Sequence, residues 1–493
     1  MDGPGRAHSV GAHHPAAPGL PALEARLRQD LAWLELPARP WVPPRTADGQ
    51  DVAEVAIIGA GMAGLAAAAA LLQLGVRPVV FDQAPEGLEG PWATSARMET
   101  LRSPKQLTGP ALGLPALTFR AWFEAQYGLA AWEALDKIPR LQWMDYLRWY
   151  RRVLALPVHN RQRVTAIVPR ADGVVALEVA GPGGRRRVLA RRLVLATGRD
   201  GLGGAQIPAF VQGLTRGTHW IHSSDDFDYA RLAGRRVGVV GAGASAMDCA
   251  ATALEAGAAG VDLLVRRADL PRVNKGKGAG NPGMTHGFVE LPDAWKWRMR
   301  RYLHVQQTPP PQGSTLRVAR HANARFRLGC AVLGVQLHGD GLQVQTPQGL
   351  LELDFLIVST GFRIDWTARP EFAALAPHVR AWKDRWLPEA ADQQDAELAD
   401  SPDLGPAFEL RERQPGACPG LERIHCFCYP AALSHGTVSG DIPAISDGAR
   451  RLAQGIAALL YREDIATHYA RMEAFAEPEL EGHEWTPYTP PPP

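Results

Sequence analysis

An α/β architecture with two parallel sheets, the second inserted into the first, follows from three features of the sequence. The stretch VAIIGAGMAGLAA, residues 55–67, reads as a strand, a glycine-rich turn and a helix. GVVGAGASAMDCA, residues 238–250, repeats that order. Two further strands, LVLATGRDG (193–201) and LIVSTGFRID (356–365), end in small-residue ATG and STG turns and bracket the second copy. Continuous apolar, β-branched runs alternating with helical stretches indicate parallel sheets covered on both faces.

The elements follow in order. Residues 1–19 are rich in Gly, His and Pro and are expected to be disordered. Leu23, Leu27, Leu31 and Leu34 then fall at helical spacing. ARPWVPPRTADGQ reads as a linker. VAIIG and RPVVFD are strands on either side of an Ala-rich helix, and the tryptophan-rich stretch Phe119 to Tyr150 reads as a helical cap or insertion. RRVGVVG, ASAMDCAATALEAG and GVDLLVRR repeat strand, helix, strand. NKGKGAGNPGMTHG, residues 274–287, reads as a surface loop or a mobile lid. A late helix is expected to be N-capped near Ser446 or Asp447, and TPYTPPPP closes the chain as a polyproline-like tail. The expected division is an N-terminal segment (1–50), the first half of one nucleotide unit (51–200), an inserted unit (201–355), the returning half (356–465) and a flexible tail (466–493).

The chain has 493 residues, enough for more than one core. A formal charge of +2 without a basic block gives no reason to expect nucleic acid or an anionic membrane as partner. The longest apolar run, GLAAAAALLQLGV, is too short to span a bilayer. Five scattered cysteines form no CxxC pair and no metal-ligand spacing; Cys426 and Cys428 make only a CxC. A reducing, cytoplasmic location without secretory signal and without a metal is therefore expected.

The two turns carry the chemistry. Gly59, Gly61 and Gly64 form GxGxxG. In such a loop the first glycine makes the tight turn, the second lets a pyrophosphate approach the backbone, and the third lets helix and strand pack closely. Asp82 closes the next strand, where a carboxylate accepts from a ribose hydroxyl. Gly241, Gly243 and Ala246 form GxGxxA, and the strand after them ends in Arg266 and Arg267, with Arg272 nearby. Guanidinium groups there suit a 2′-phosphate, or else form a solvated surface patch. The fold expected is thus two Rossmann-like dinucleotide-binding domains, an NAD(P)H domain inserted into an FAD domain. FAD is the resident cofactor and NADPH the electron donor, with NADH as the alternative.

With these segments the chain resembles the class B flavin monooxygenases, a superfamily of flavin-containing monooxygenases, Baeyer–Villiger enzymes and amine N-hydroxylases. The resemblance runs from about Val52 to Leu460 and includes the GPW turn, which brings Trp92 to the FAD side. VSGDIPAISDG resembles the segment whose Gly-Asp, here Gly440 and Asp441, binds the ribityl chain; otherwise it is an ordinary loop before a helix. His222 stands where the family has a histidine between the domains, but Arg216 and Thr218 replace the Phe and Gly that precede it, so the Baeyer–Villiger form fits poorly. In METLRSPKQLTGP, Arg102 and Lys105 take the places of an Asn and a Lys set over the flavin. They would clamp an anionic substrate or a peroxide anion, or form structural ion pairs. His435 and Thr437 are candidates for facing the flavin ring or for packing.

LRSPKQLTGP, LPRVNKGKGAG and LSHGTVSGDIPAISDG together are similar to a bacterial subgroup of FAD-dependent urate hydroxylases. That resemblance implies an NAD(P)H-consuming enzyme that places one atom of O2 on a small anion, urate, through a flavin C4a-(hydro)peroxide. Arg102, Lys105 and His222 would be its catalytic candidates. An amine N-hydroxylase, a Baeyer–Villiger enzyme, a flavin oxidoreductase without oxygen transfer and a flavin-binding sensor are the competing readings. A disulfide reductase lacks its cysteine pair, and a homodimer is one candidate assembly.

Overall fold

The computed structural model describes residues 19–493. The disorder expected for residues 1–19 lies outside the described residues except for Gly19, which opens the helix Gly19–Trp33. That helix buries Leu23 and Leu27, whereas Leu34 lies beyond its end and is exposed. The expected linker is docked: Trp41 Nε1 donates to Leu74 O at 2.7 Å, and its ring lies against Tyr461 and His468.

The first sheet has eight strands. Gln50–Ile58 lies between Pro78–Phe81 and Gly184–Leu195, parallel to both. Val158–His159 extends the parallel side, and an antiparallel meander, Arg163–Pro169 and Val175–Gly181, continues from the other. Ile424–Cys426 joins much later, parallel to the end of Gly184–Leu195. The second sheet has five parallel strands: Ala324–Leu328, Gly260–Val265, Arg236–Val240, Phe355–Val358 and Trp220–His222. One nucleotide fold is therefore inserted into another. Phe355–Val358 corrects the expected boundary at 355, because all its side chains are buried inside the second sheet and the chain turns back only at Ser359. A three-stranded antiparallel sheet, Gly334–His338, Gly341–Thr346 and Gly349–Leu353, packs beside it.

The Ala-rich helix Met62–Gln73 is buried nearly all round, which is why small side chains fill it. It packs on Ile445–Glu463, whose Ile445, Ala449, Leu452, Ile456 and Leu460 form one apolar stripe at helical period. Ser446 is not the N-cap of that helix. It lies inside it, donating to Gly109 O (2.6 Å) and accepting from Leu112 N–H (3.0 Å), and so joins the helix to a distant loop. A further helix, Ile465–Glu473, occupies the first part of the expected tail. The tryptophan-rich stretch forms two helices, Phe119–Ala134 and Arg140–Val153. Its buried tyrosines are bonded, Tyr146 to Leu117 O and Tyr150 to Pro110 O. Residues 274–287 carry two short helices, Lys275–Ala279 and Pro282–Gly287, and Arg451 Nη2 donates to Thr285 O at 2.7 Å. No helix among the described residues is long and apolar enough to cross a membrane.

Candidate active site

The glycines of both loops divide by function, and the space around each shows how. Gly59 has φ +101°, and a methyl group there would collide with Ala196 O of the ATG turn. A methyl on Gly64 would lie 2.9 Å from the carbonyl carbon of Gly59. These two glycines hold the turn itself. At Gly61, with φ −67°, the nearest atom to such a methyl is Gly90 Cα at 3.8 Å. The GPW turn thus lies close to the phosphate loop, near enough that a methyl on Gly61 would just touch it. A small cleft opens beside Ala60, lined by Leu65, Glu89, Met144 and Arg151 among others. Asp82 joins the loop directly: Ala60 N–H donates to Oδ2 and Ala84 N–H to Oδ1, both at 2.7 Å.

The second loop repeats the pattern. Gly241, φ +133°, has room for no methyl because Ser359 O of the STG turn would be 2.7 Å away. Gly243 faces empty space, and Ala246 is fully buried between helix and strand. Both sites therefore fit a dinucleotide, with the middle glycine of each open for a pyrophosphate at a helix N-terminus. Arg266 is exposed at the end of its strand, while Arg267 donates one N–H to Val305 O at 2.9 Å.

The turns behind the loops also tie the two folds together. Gly203–Ala205, after ATG, pairs antiparallel with Phe362–Ile364, after STG. Gln206 N–H donates to Gly361 O at 2.9 Å. A second bridge runs from the segment after Trp92. The Arg97 guanidinium lies over the Tyr229 ring at 5.2 Å, and Arg317, paired to Glu255, donates to Arg97 O at 3.0 Å. The two loops are therefore tied to each other through the turns on which each rests.

Arg102 follows five residues after Arg97 in the same segment. Solvent reaches it, yet the surrounding protein pulls its pKa down; nearby Asp248 opposes that and Arg199 adds to it. Its side chain makes no hydrogen bond or ion pair among the described residues, so the structural ion pair does not form. Asp248, in the helix after Gly243, is buried; desolvation raises its pKa, and Ser314 Oγ donates to it at 2.6 Å. Trp92 is half-buried and meets Trp143 edge-on. Gly440 lies against Tyr429, whose ring lies under the Arg199 guanidinium at 4.3 Å. Asp441 is solvent-accessible, and desolvation by the surrounding protein raises its pKa.

Other candidates are placed elsewhere. Lys105 uses its three donors on Trp132, Glu133 and Leu135 carbonyls, at 2.7, 3.2 and 2.5 Å, and so caps the helix Phe119–Ala134. No donor remains for a substrate. His222 is fully buried, with Nδ1 on Ser224 Oγ at 2.7 Å and its ring edge-on to Phe362. Burial lowers its pKa, so it is a neutral pin for its loop. His435 packs flat on Phe408 at 3.7 Å and bonds Gly405 O, while Thr437 is exposed. Arg199 and Asp248 escaped sequence reading because one follows the ATG turn and the other lies in an apolar helix, outside the loop pattern proper.

The fold and its paired loops define a flavoprotein oxidoreductase with two dinucleotide clefts. Residues 53–277 match the pyridine nucleotide-disulphide oxidoreductase family. That span contains only one cysteine, Cys249, so it has no disulfide-exchanging pair. The fold is also that of an ornithine N-hydroxylase from Kutzneria sp. 744 (TM-score 0.63, 20% identity, 83% of this chain and 99% of that one). An ornithine hydroxylase from Pseudomonas aeruginosa is similar as well (TM-score 0.63, 15% identity, 82% and 98%). In sequence the chain is 42% identical, over 92% of its length and 95% of the relative's, to the FAD-dependent urate hydroxylase of Xanthomonas campestris. The chain belongs to this family of FAD-dependent monooxygenases.

Proposed function

We propose that the protein hydroxylates urate to 5-hydroxyisourate, using FAD on the first loop and NADPH on the second. The observation that carries the reading is the tie between the two phosphate loops: each leans on a turn, and the two turns continue into one paired ribbon, Gly203–Ala205 with Phe362–Ile364. The extent of the match to the Xanthomonas urate hydroxylase supports the substrate. When bound, the two cofactors supply hydride transfer and the activation of O2. The balance is urate, NADPH, O2 and a proton giving 5-hydroxyisourate, NADP+ and water.

The chain's own residues hold and shield. Gly61 and Gly243 admit the pyrophosphates, Asp82 and Asp441 serve FAD hydroxyls, and Arg266 with Arg267 favours the 2′-phosphate. The GPW turn closes over the first loop. Arg102, exposed and without an acceptor among the described residues, would present its charge to an anionic substrate. Residues 51–200 and 356–465 form the FAD part and 201–355 the NADPH part, with the strand Phe355–Val358 counted in the latter. The absence of CxxC pairs and five free, buried cysteines support a reducing, cytoplasmic location.

The test is NADPH consumption by flavin-loaded enzyme in air, with and without urate. One 5-hydroxyisourate per NADPH and little hydrogen peroxide is expected. Stoichiometric peroxide with intact urate would assign the protein to oxidases that transfer no oxygen.

A further inference from the structure

A line of contacts that belongs to neither glycine motif runs from the second nucleotide loop to the first. The helix Ala244–Glu255 starts at the Gly243 loop and presents Asp248, Thr252 and Glu255 at i, i+4 and i+7, on one face. The helix Gln312–Ala319 is held on that face by Ser314 Oγ, which donates to Asp248 at 2.6 Å, and by Arg317. Arg317 is buried, and its guanidinium bonds in two directions. Nε donates to Glu255 at 2.7 Å, and Nη2 donates to Glu255 and, at 3.3 Å, to Thr252 Oγ1. Nη1 points out of the inserted domain and donates to Arg97 O at 3.0 Å. The Arg97 guanidinium is seated on that domain as well, over the Tyr229 ring at 5.2 Å. One residue earlier, Ala96 N–H donates to Pro91 O at 2.9 Å and so joins this segment to the GPW turn. A methyl on Gly90 of that turn would lie 3.7 Å from Gly61 Cα. The FAD domain holds the same segment from its other side, where Arg140 donates from its side chain to Trp92 O and from its N–H to Glu99 O.

We infer that Arg317 is a positioning residue that couples the two nucleotide sites, so that NADP+ or NADPH on the Gly243 loop tightens the segment 91–97 and the GPW turn beside the Gly61 loop. A pyrophosphate at the N-terminus of Ala244–Glu255 fixes that helix, and a helix behaves as a rigid element. Its last turn carries Thr252 and Glu255, so what is held at Gly243 is held at Arg317. A guanidinium suits this place. Its planar fork grips a carboxylate on one edge and keeps an N–H for a carbonyl on another, whereas an ammonium is a single point donor. The inference rests on NADP(H) at the second loop and is independent of urate as the substrate.

Hydrogen exchange of residues 92–97 in the oxidised, flavin-loaded protein tests this, with and without NADP+ at a concentration shown by titration to saturate each variant. In the wild type NADP+ should raise protection there roughly 5- to 10-fold, and in Arg317→Ala by less than about twofold. Ser314→Ala removes the other side-chain bond between the two helices but leaves the contact with Arg97, and should keep the full rise. Arg317→Lys should keep less than half of it. A rise that survives in Arg317→Ala would mean that NADP+ reaches the segment directly. A rise lost equally in Ser314→Ala would mean that general stiffness of the helix pair decides. Either result overturns the role of Arg317. Should Arg317→Ala fail to fold, Arg317→Lys carries the test, and a full wild-type rise in it overturns the inference. If the wild type binds NADP+ without any rise, the coupling is absent and the inference alone fails. If it binds no NADP+, the cofactor assignment of the second loop falls and the inference with it.

Discussion

The division of labour among the loop glycines predicts opposite outcomes for two changes of one methyl group. In Gly61→Ala the backbone is already in a region open to alanine (φ −67°), and the new methyl meets nothing closer than Gly90 Cα at 3.8 Å, an ordinary contact. The apoprotein should therefore fold normally, its stability changed by about 0.5 kcal/mol or raised slightly through the unfolded chain. The same methyl would stand where a pyrophosphate approaches the helix N-terminus in a loop of this type. Losing one or two charge-assisted hydrogen bonds costs roughly 3 kcal/mol, about a hundredfold in FAD affinity. In Gly64→Ala the methyl lies 2.9 Å from the carbonyl carbon of Gly59 and closer still to its oxygen, and both atoms belong to backbone, which cannot rotate aside. Overpacking of this kind costs roughly 1–3 kcal/mol or more and should lower the melting temperature of the apoprotein. The assays are thermal melts of flavin-free protein and fluorescence titration with FAD. Gly243→Ala, with nothing within 4 Å, should follow Gly61→Ala but raise the NADPH KM while leaving FAD content intact. A Gly61→Ala protein that purifies yellow with unchanged FAD affinity would refute the reasoning, as would one that melts as early as Gly64→Ala.

Lys105→Met should lose about 1–3 kcal/mol of stability, since three carbonyls at a helix end lose a cationic donor, while urate binding stays within twofold; denaturant unfolding and equilibrium binding check the pair. His435 is held neutral by burial, its pKa lowered to about 3. Only the unfolded chain takes up a proton as pH falls below 6.5, so stability falls on the acid side, by roughly 2 kcal/mol between pH 6.5 and 5 for this residue. His435→Gln should flatten that limb of a urea-unfolding series, and an unchanged slope would contradict a buried neutral imidazole. His304 shows the reverse sign: hydrogen bonds to Glu397 and Asp395 raise its pKa to about 9. The stability it adds is full below pH 6.5 and is lost as pH rises through about 9. Hydrogen-exchange protection in Asp293–Gln306, taken relative to the base-catalysed intrinsic rate, should therefore fall between pH 6.5 and 9.5, and His304→Gln should abolish that fall.

The architecture was legible because its signals are local. A strand, a Gly-x-Gly turn and a helix within thirteen residues report their own geometry, and the structure shows each glycine in the surroundings its position implies. The ATG and STG turns were readable for the same reason, since each ends an apolar strand. What the sequence hid is which cation remains available. Arg102 and Lys105 are three residues apart and chemically similar, yet one faces solvent without an acceptor and the other is enclosed by three carbonyls of a helix about thirty residues on. No periodicity records that difference, because it depends on where Ala134 ends its helix. Arg199 was hidden in the opposite way: its neighbours in sequence mark a domain crossing, and its aromatic platform, Tyr429, arrives 230 residues later through the strand Ile424–Cys426 that rejoins the first sheet. The parts of the site that bind cofactor are built from contiguous chain and can be read as motifs. The surroundings of Arg199 and Gly440 are assembled across the insertion, so they emerge only once the returning strand has taken its place beside Leu193–Leu195.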